Sequence, residues 1–253
     1  MSGHSHFATI RRTKEVKDAQ KGRVFSKHSK AISVAVKTGG GPSPDSNYKL
    51  RMAMDAARAD NMPKDSIERA VAKASSEAQN LEEIRYEGFG PDGIAVMVEV
   101  TTDNKNRTSQ EIKNLFERNG GSMGGPGSVS FNFDPKGLLL VKKDASQNAD
   151  EQMLKLIDAG ADDIQDEVDG LEVYTSPESL SKVRSELEAQ DQTIIKSELI
   201  QRPKTFIDIT DFTKAKKALA FLEKVEEQDD VQKVFVNLNI PDEVLNKLEE
   251  DSL

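Results

Sequence analysis

Residues 137–201, GLLLVKKDASQNADEQMLKLIDAGADDIQDEVDGLEVYTSPESLSKVRSELEAQDQTIIKSELIQ, carry the pattern that decides the fold. Gly137–Lys143 is an apolar run of strand length, and the helix near Ala149–Ala159 follows with its apolar residues at helical spacing. Asp162–Val168 and Gly170–Thr175 flank Asp169-Gly170, a dipeptide suited to a two-residue hairpin turn. Pro177 opens a helix that runs to Gln190, and Thr193–Gln201 returns as a strand. The order is β-α-β-β-α-β, the split βαβ arrangement of ferredoxin-like folds.

Working outward, Ile94–Val100 reads as a strand, Arg107–Asn119 as a helix, and Ser128–Asp134 as a strand with Val129, Phe131 and Phe133 alternating. Beyond the central piece, Thr205–Ile209, a helix from about Asp211 to Glu227, and Val231–Leu238 give another β-α-β. Joined, the flanks form a second β-α-β-β-α-β unit. Asp134-Pro135-Lys136-Gly137 and Arg202-Pro203-Lys204 are the punctuation between the two. The expected class is therefore α+β in three domains. A helical basic domain covers 1–80. A discontinuous ferredoxin-like domain covers 81–134 and 204–253. A second ferredoxin-like domain, 135–203, is inserted into it.

The helical domain is read from its own signals. Gly39-Gly40-Gly41-Pro42 stops a first helix, because glycine permits a left-handed cap and proline blocks continuation. Asn47 offers an N-cap oxygen to a second helix, roughly Asn47–Asp60, with Leu50, Met54 and Ala57 inward. Pro63 suits the first turn of a third, carrying Ile67, Ala70, Val71 and Ala74. Residues 75–83 are polar and read as a linker.

Charge is distributed unevenly. The formal net charge is −9, yet residues 1–37 hold nine Lys/Arg against Glu15 and Asp18. Such asymmetry suits one end touching a polyanion while the remainder stays soluble. From Arg23 to Lys37, Phe25, Ile32 and Val36 share one side of a helix; Arg23, Lys27, Lys30 and Lys37 share the other. Val34 falls inside this basic arc and is its one misfit. Before the helix lies a looser basic arm of Arg11, Arg12, Lys14, Lys17 and Lys21. These nine residues are the candidate nucleic-acid contacts. Lysine and arginine neutralise phosphates and release counterions, which gives affinity without sequence reading. Phe7 is the only ring in the arm, so phosphate contact is better supported than base stacking.

Two loops are candidates for secondary contact. Thr101–Thr108 leads into a helix N-terminus, where free N–H groups with Lys105 and Arg107 suit a phosphate. Ordinary capping by Asp103 or Asn106 explains the same residues equally well. Asn119–Gly127 holds five glycines, among them Gly120, Gly121, Gly124 and Gly125, with Met123 between them. It reads either as a flexible strand entry or as a projecting loop that approaches another backbone closely.

Other chemistries find little support. There is no cysteine, which removes disulfides, thiolate catalysis and Cys-based zinc sites. The G-x-S-x-G, G-x-x-x-x-G-K-[ST] and H-E-x-x-H patterns are absent from the sequence. His4-Ser5-His6 lacks an acidic second ligand set, so neither a metal nor a cofactor is expected. No apolar run approaches membrane-helix length, so a membrane is not an expected partner.

Several of these stretches resemble one family. Gly3-His4-Ser5-His6-Phe7-Ala8-Thr9-Ile10 is similar to the opening G-H-S-x-W-A-x-I of the YebC/PmpR family, with Phe7 where the family usually has Trp. Lys21–Lys27, Gly39–Gly41, Asn61–Asp65, Tyr86–Pro91, Asp103–Thr108, Gly120-Gly121 and Gly127–Val129 extend the resemblance along the chain. It implies a cytoplasmic, non-enzymatic protein of three domains. Bacterial members are commonly described as DNA-binding transcriptional regulators. Related members, including the mitochondrial translational activator, act on the ribosome. The chain begins at the family motif, which looks bacterial and cytosolic. The expected partner is nucleic acid: DNA, or rRNA with ribosomal proteins or tRNA nearby.

Overall fold

A computed structural model describes residues 18–76, 80–144, 148–167 and 169–251. Three helices open it: α1 (Asp18–Thr38), α2 (Tyr48–Ala59) and α3 (Lys64–Ser76). The glycine stop works as expected, with Gly39 N–H bonding the Ala35 carbonyl and Gly41 N–H that of Val36. Asn47 caps α2, its side-chain oxygen accepting from Leu50 N at 2.9 Å. Ile32, Val36, Leu50, Ala57, Ile67 and Ala70 form the module's core, with Phe25 against it.

The rest is mixed. After β1 (Glu82–Phe89) and β2 (Ala95–Thr102) come α4 (Lys105–Arg118) and the short β3 (Ser122–Met123). β4 (Phe133–Val141), α5 (Ala149–Asp158), β5 (Asp163–Glu167), β6 (Gly170–Thr175), α6 (Leu180–Ala189) and β7 (Ile194–Pro203) follow. β8 (Ile207–Asp208), α7 (Phe212–Glu227), β9 (Val231–Val236), β10 (Leu238–Asn239) and α8 (Asp242–Asp251) complete the chain.

Strands β4 to β7 form an antiparallel sheet in the order β5-β6-β4-β7, the spatial order of a split βαβ. Leu139, Val141, Leu171 and Val173 meet Leu156 of α5 and Leu180, Val183 and Leu187 of α6. The other sheet runs β3-β1-β2-β9, also antiparallel. Val96, Val98 and Val100 face Ile112 and Phe116 of α4 and Phe221 and Val225 of α7. On their opposite faces the sheets share a core of Ala95, Met97 and Phe235 from one and Leu138, Tyr174 and Ile200 from the other. The protein is thus α+β, a helical module with α/β units behind it.

Three element readings are corrected. Glu82–Phe89 is a strand, where a linker was expected up to residue 83. Its β1–β2 hairpin, not Thr205–Ile209, fills the first sheet; Ile207–Asp208 pairs instead with β10. Ser128–Asn132 is not a strand; of the expected stretch only Phe133 and Asp134 are, as the start of β4. Ser130–Asn132 is a single helical turn, and Phe131 is 73 % exposed. The cause is Glu87: its buried carboxylate accepts from the N–H of Gly127, Val129 and Ser130 at 3.0, 2.8 and 2.9 Å. Those donors are unavailable to a ladder. Finally, β4 runs straight through Pro135. Before Gly137 it pairs only with β7, so the missing proline N–H faces an unpaired edge.

Candidate nucleic-acid interface

Helix α1 forms as its periodicity demands, but its basic arc is not turned to bulk solvent. Lys30 Nζ lies 2.7 Å from Asp230 Oδ1 and 3.1 Å from the Asp229 carbonyl. Lys27 Nζ donates to the Glu226 carbonyl. Arg23 lies 3.4 Å from Asp229 and 3.9 Å from Glu227. The acidic run from Glu226 to Asp230, at the C-terminal end of α7, therefore seats the arc. Val34 is explained by the same seating. It is 6 % exposed on a helix that touches β2 and β9, so the misfit is an apolar contact on a docked face. Lys37 stands exposed at the end of the arc, and Lys21, expected in the arm before the helix, lies exposed within α1. Arg11, Arg12, Lys14 and Lys17 lie outside the described residues, as do His4, His6 and Phe7.

Asp230 is the hub of this contact. It is 3 % exposed, and besides Lys30 it accepts from Thr108 Oγ1 at 2.6 Å and Arg107 Nη2 at 3.1 Å. Its backbone carbonyl accepts from Thr101 N at 2.8 Å. Burial alone would raise its pKa. Hydrogen bonds from Lys30, Thr108 and Arg107 overcome that and hold it down to about 2. The Thr101–Thr108 loop thus already holds an anion, the protein's own carboxylate. The cap of α4 is Asn104, which accepts from Arg107 N, rather than Asp103 or Asn106. Arg107 also pairs with Asp103 at 2.9 Å, and Lys105 is exposed.

The glycine-rich loop is more ordered than its composition suggests. Ser122 and Met123 pair with Phe89 and Gly88, and Met123 packs on the main core. Gly124 N donates to the Glu87 carbonyl at 2.8 Å. A Cβ on Gly121 would sit 2.5 Å from the Phe89 carbonyl, which is why the crossing needs glycine. Gly120, at φ +83°, and Gly125 are exposed.

A positive groove that sequence reading missed lies beside this loop. Arg118, Asn119 and Gly120 form one wall; Lys217, Ala220 and Lys224 on α7 form the other. Spacing on α7 carried the signal, since positions 217, 220 and 224 share a helix face.

Comparison with known proteins follows the same lines as the fold. A conserved hypothetical protein of Aquifex aeolicus has a similar solved structure, with a TM-score of 0.81, 41% identity, and coverage of 92% of this chain and 96% of that one. Proteins of Dictyoglomus turgidum and of a Sulfurihydrogenibium species, each named a probable transcriptional regulatory protein, are 44% identical. Each match covers 98% of this chain and 100% of the relative. Residues 5–77 match the TACO1/YebC protein N-terminal domain. With residues 81–238 matching the TACO1/YebC second and third domain, the chain belongs to the TACO1/YebC family.

Proposed function

We propose that this protein is a non-enzymatic, nucleic-acid-binding regulator of gene expression that acts on DNA as a transcriptional regulator. The observation that carries the reading is the concentration of nine Lys/Arg against two acids in residues 1–37 of a chain whose net charge is −9. The names of its relatives support the transcriptional role. Contact is through phosphates, with the arm Arg11, Arg12, Lys14, Lys17 and Lys21 leading.

A second reading is favoured by one observation. Arg23, Lys27 and Lys30 are seated on the acidic run 226–230, so α1 does not offer a bare face to a DNA groove. A ribosome-associated factor needs no base-reading helix. Its basic end would lie on rRNA phosphates while the acidic units meet ribosomal protein or tRNA.

Sedimentation of a cell lysate through sucrose, with and without nuclease, separates the two. Migration with ribosomal subunits sinks the DNA reading. Migration at the top of the gradient, with retention on duplex DNA at low salt, sinks the ribosomal one. Failure to bind either polymer overturns both.

A further inference from the structure

With the arc of α1 occupied, the groove between the end of α4 and α7 brings cations together with no carboxylate among its lining residues. Arg118 stands at the end of α4, and Lys217 and Lys224 on the facing side of α7. Together they border an open groove of about 360 Å3 that Phe221 and Ala220 also line. Lys224 Nζ donates to Asn119 Oδ1 at 2.7 Å, which holds it over the groove. Lys217 reaches across to Gly120, close enough that a Cβ there would lie 3.3 Å from its Nζ. Among the described residues, neither Arg118 nor Lys217 is paired with a carboxylate, and no carboxylate lines the groove. Their neighbours on α7 differ: Lys214 pairs with Asp92 at 3.0 Å and Lys216 with Asp251 at 2.5 Å.

Helix electrostatics account for part of this arrangement. Arg118 and Lys224 lie in the last turns of their helices, where a cation offsets the negative end of the dipole. Lys217 lies in the second turn of α7, where that explanation fails. It places a third positive charge in a groove whose glycine wall keeps side chains out. Position adds to the case. Three residues after Lys224, about 4.5 Å along a helix axis, stands Glu227, which pairs with Arg23. The groove therefore adjoins the start of the basic helix. Of the carboxylates beyond it, Glu227 and Asp229 pair with Arg23 and Asp230 with Lys30.

We propose that the groove between α4 and α7 is a phosphate site for a polynucleotide backbone, with Arg118, Lys217 and Lys224 as its cations. Flexible, hydrated ammonium groups beside a planar guanidinium suit a phosphodiester, whose register along the groove need not be fixed. The site deepens the nucleic-acid reading above, on which it rests.

Three probes, the triple variant Arg118→Gln/Lys217→Gln/Lys224→Gln and the single variant Lys217→Gln test it. Amide shifts of Asn119, Gly120, Lys217 and Lys224 are followed with inorganic pyrophosphate and with a labelled oligouridine, and affinity is measured against salt. A duplex DNA arm separates the two polymer sources. The wild type should show groove shifts with both phosphate probes. Losing three contacts should lower the salt slope on the single strand by about 2 and weaken binding about a hundredfold near 0.1 M salt. The single variant Lys217→Gln should weaken binding about fivefold by the same relation. These side chains are exposed and their helix-end contribution is small, so the thermal unfolding midpoint should fall by only a few degrees.

Oligouridine binding that leaves the groove amides unmoved and the triple variant unimpaired overturns the groove alone. Pyrophosphate shifts in a protein that binds no polynucleotide overturn the polynucleotide as occupant, and with it the nucleic-acid reading.

Discussion

Two buried carboxylates set the internal geometry, and each is held by donors rather than exposed to water. Asp230 joins α1, α4 and β9 through Lys30, Arg107 and Thr108. Its pKa is depressed from 3.8 to about 2, so its ionised form stabilises the fold at pH values above the ordinary one. That contribution is lost as pH falls from about 4 through about 2. A depression of this size corresponds to about 2 kcal/mol. Asp230→Asn should therefore cost about 2 kcal/mol in urea unfolding at neutral pH, and the gap to wild type should close towards pH 2. A gap that stays constant with pH would show that the charge is not what holds α1. Glu87 is the second case. Burial pushes its carboxyl up, but the N–H groups of Gly127, Val129 and Ser130 pull it below the ordinary value. Glutamine has one acceptor oxygen, so Glu87→Gln would aim its amide N–H at a backbone donor. A cost of about 1–3 kcal/mol is expected, with faster hydrogen exchange confined to residues 124–130. Exchange unchanged there would detach the loop from Glu87.

At the scale of elements, strongly periodic segments were legible and polar ones were not. The run Gly137–Val141 is buried on both faces and could only be a central strand. Glu82–Phe89 escaped notice because three of its eight residues are glutamates. Only Ile84 and Tyr86 alternate there, and the burial of Glu87 depends on a loop forty residues away. The converse error lies in Ser128–Asp134, whose residues 128–132 are not strand, and has the same origin: Glu87 captures the donors that the pattern assigns to a ladder. The candidate site divides similarly. The basic arc of α1 is visible in sequence, while its acidic seat lies 199 residues away at Lys27 and Lys30 and has no local signature. This changes what a charge reversal does. Lys27→Glu/Lys30→Glu brings like charges against Asp229 and Asp230, so α1 should lift from β2 and β9 and expose Val34. The thermal midpoint should fall by several degrees and binding of a hydrophobic dye should rise. An unchanged melt would return the arc to solvent, as the sequence alone suggested.

At the scale of the whole molecule, the two sheets are coupled through their backs and through the crossing strands between them. Asn132 clamps that crossing, its Oδ1 accepting from Thr205 N at 3.1 Å and Oγ1 at 2.6 Å. The sheet β3-β1-β2-β9 has its own core from Tyr86 and Ile94 to Leu245, independent of residues 134–203. We propose on this basis that 135–203 behaves as an inserted domain whose removal leaves a foldable remainder. Replacing 135–203 with a short Gly-Ser link should preserve a cooperative thermal transition. It should also lower the midpoint, because Ala95, Met97 and Phe235 lose Leu138, Tyr174 and Ile200 from above them. The same loss uncovers an apolar sheet face, so dye binding and self-association should increase. Loss of a cooperative transition would mean that the shared core, rather than the helix-covered one, holds the first sheet together. A midpoint equal to that of the full chain would mean that the contact between the sheets contributes nothing to stability.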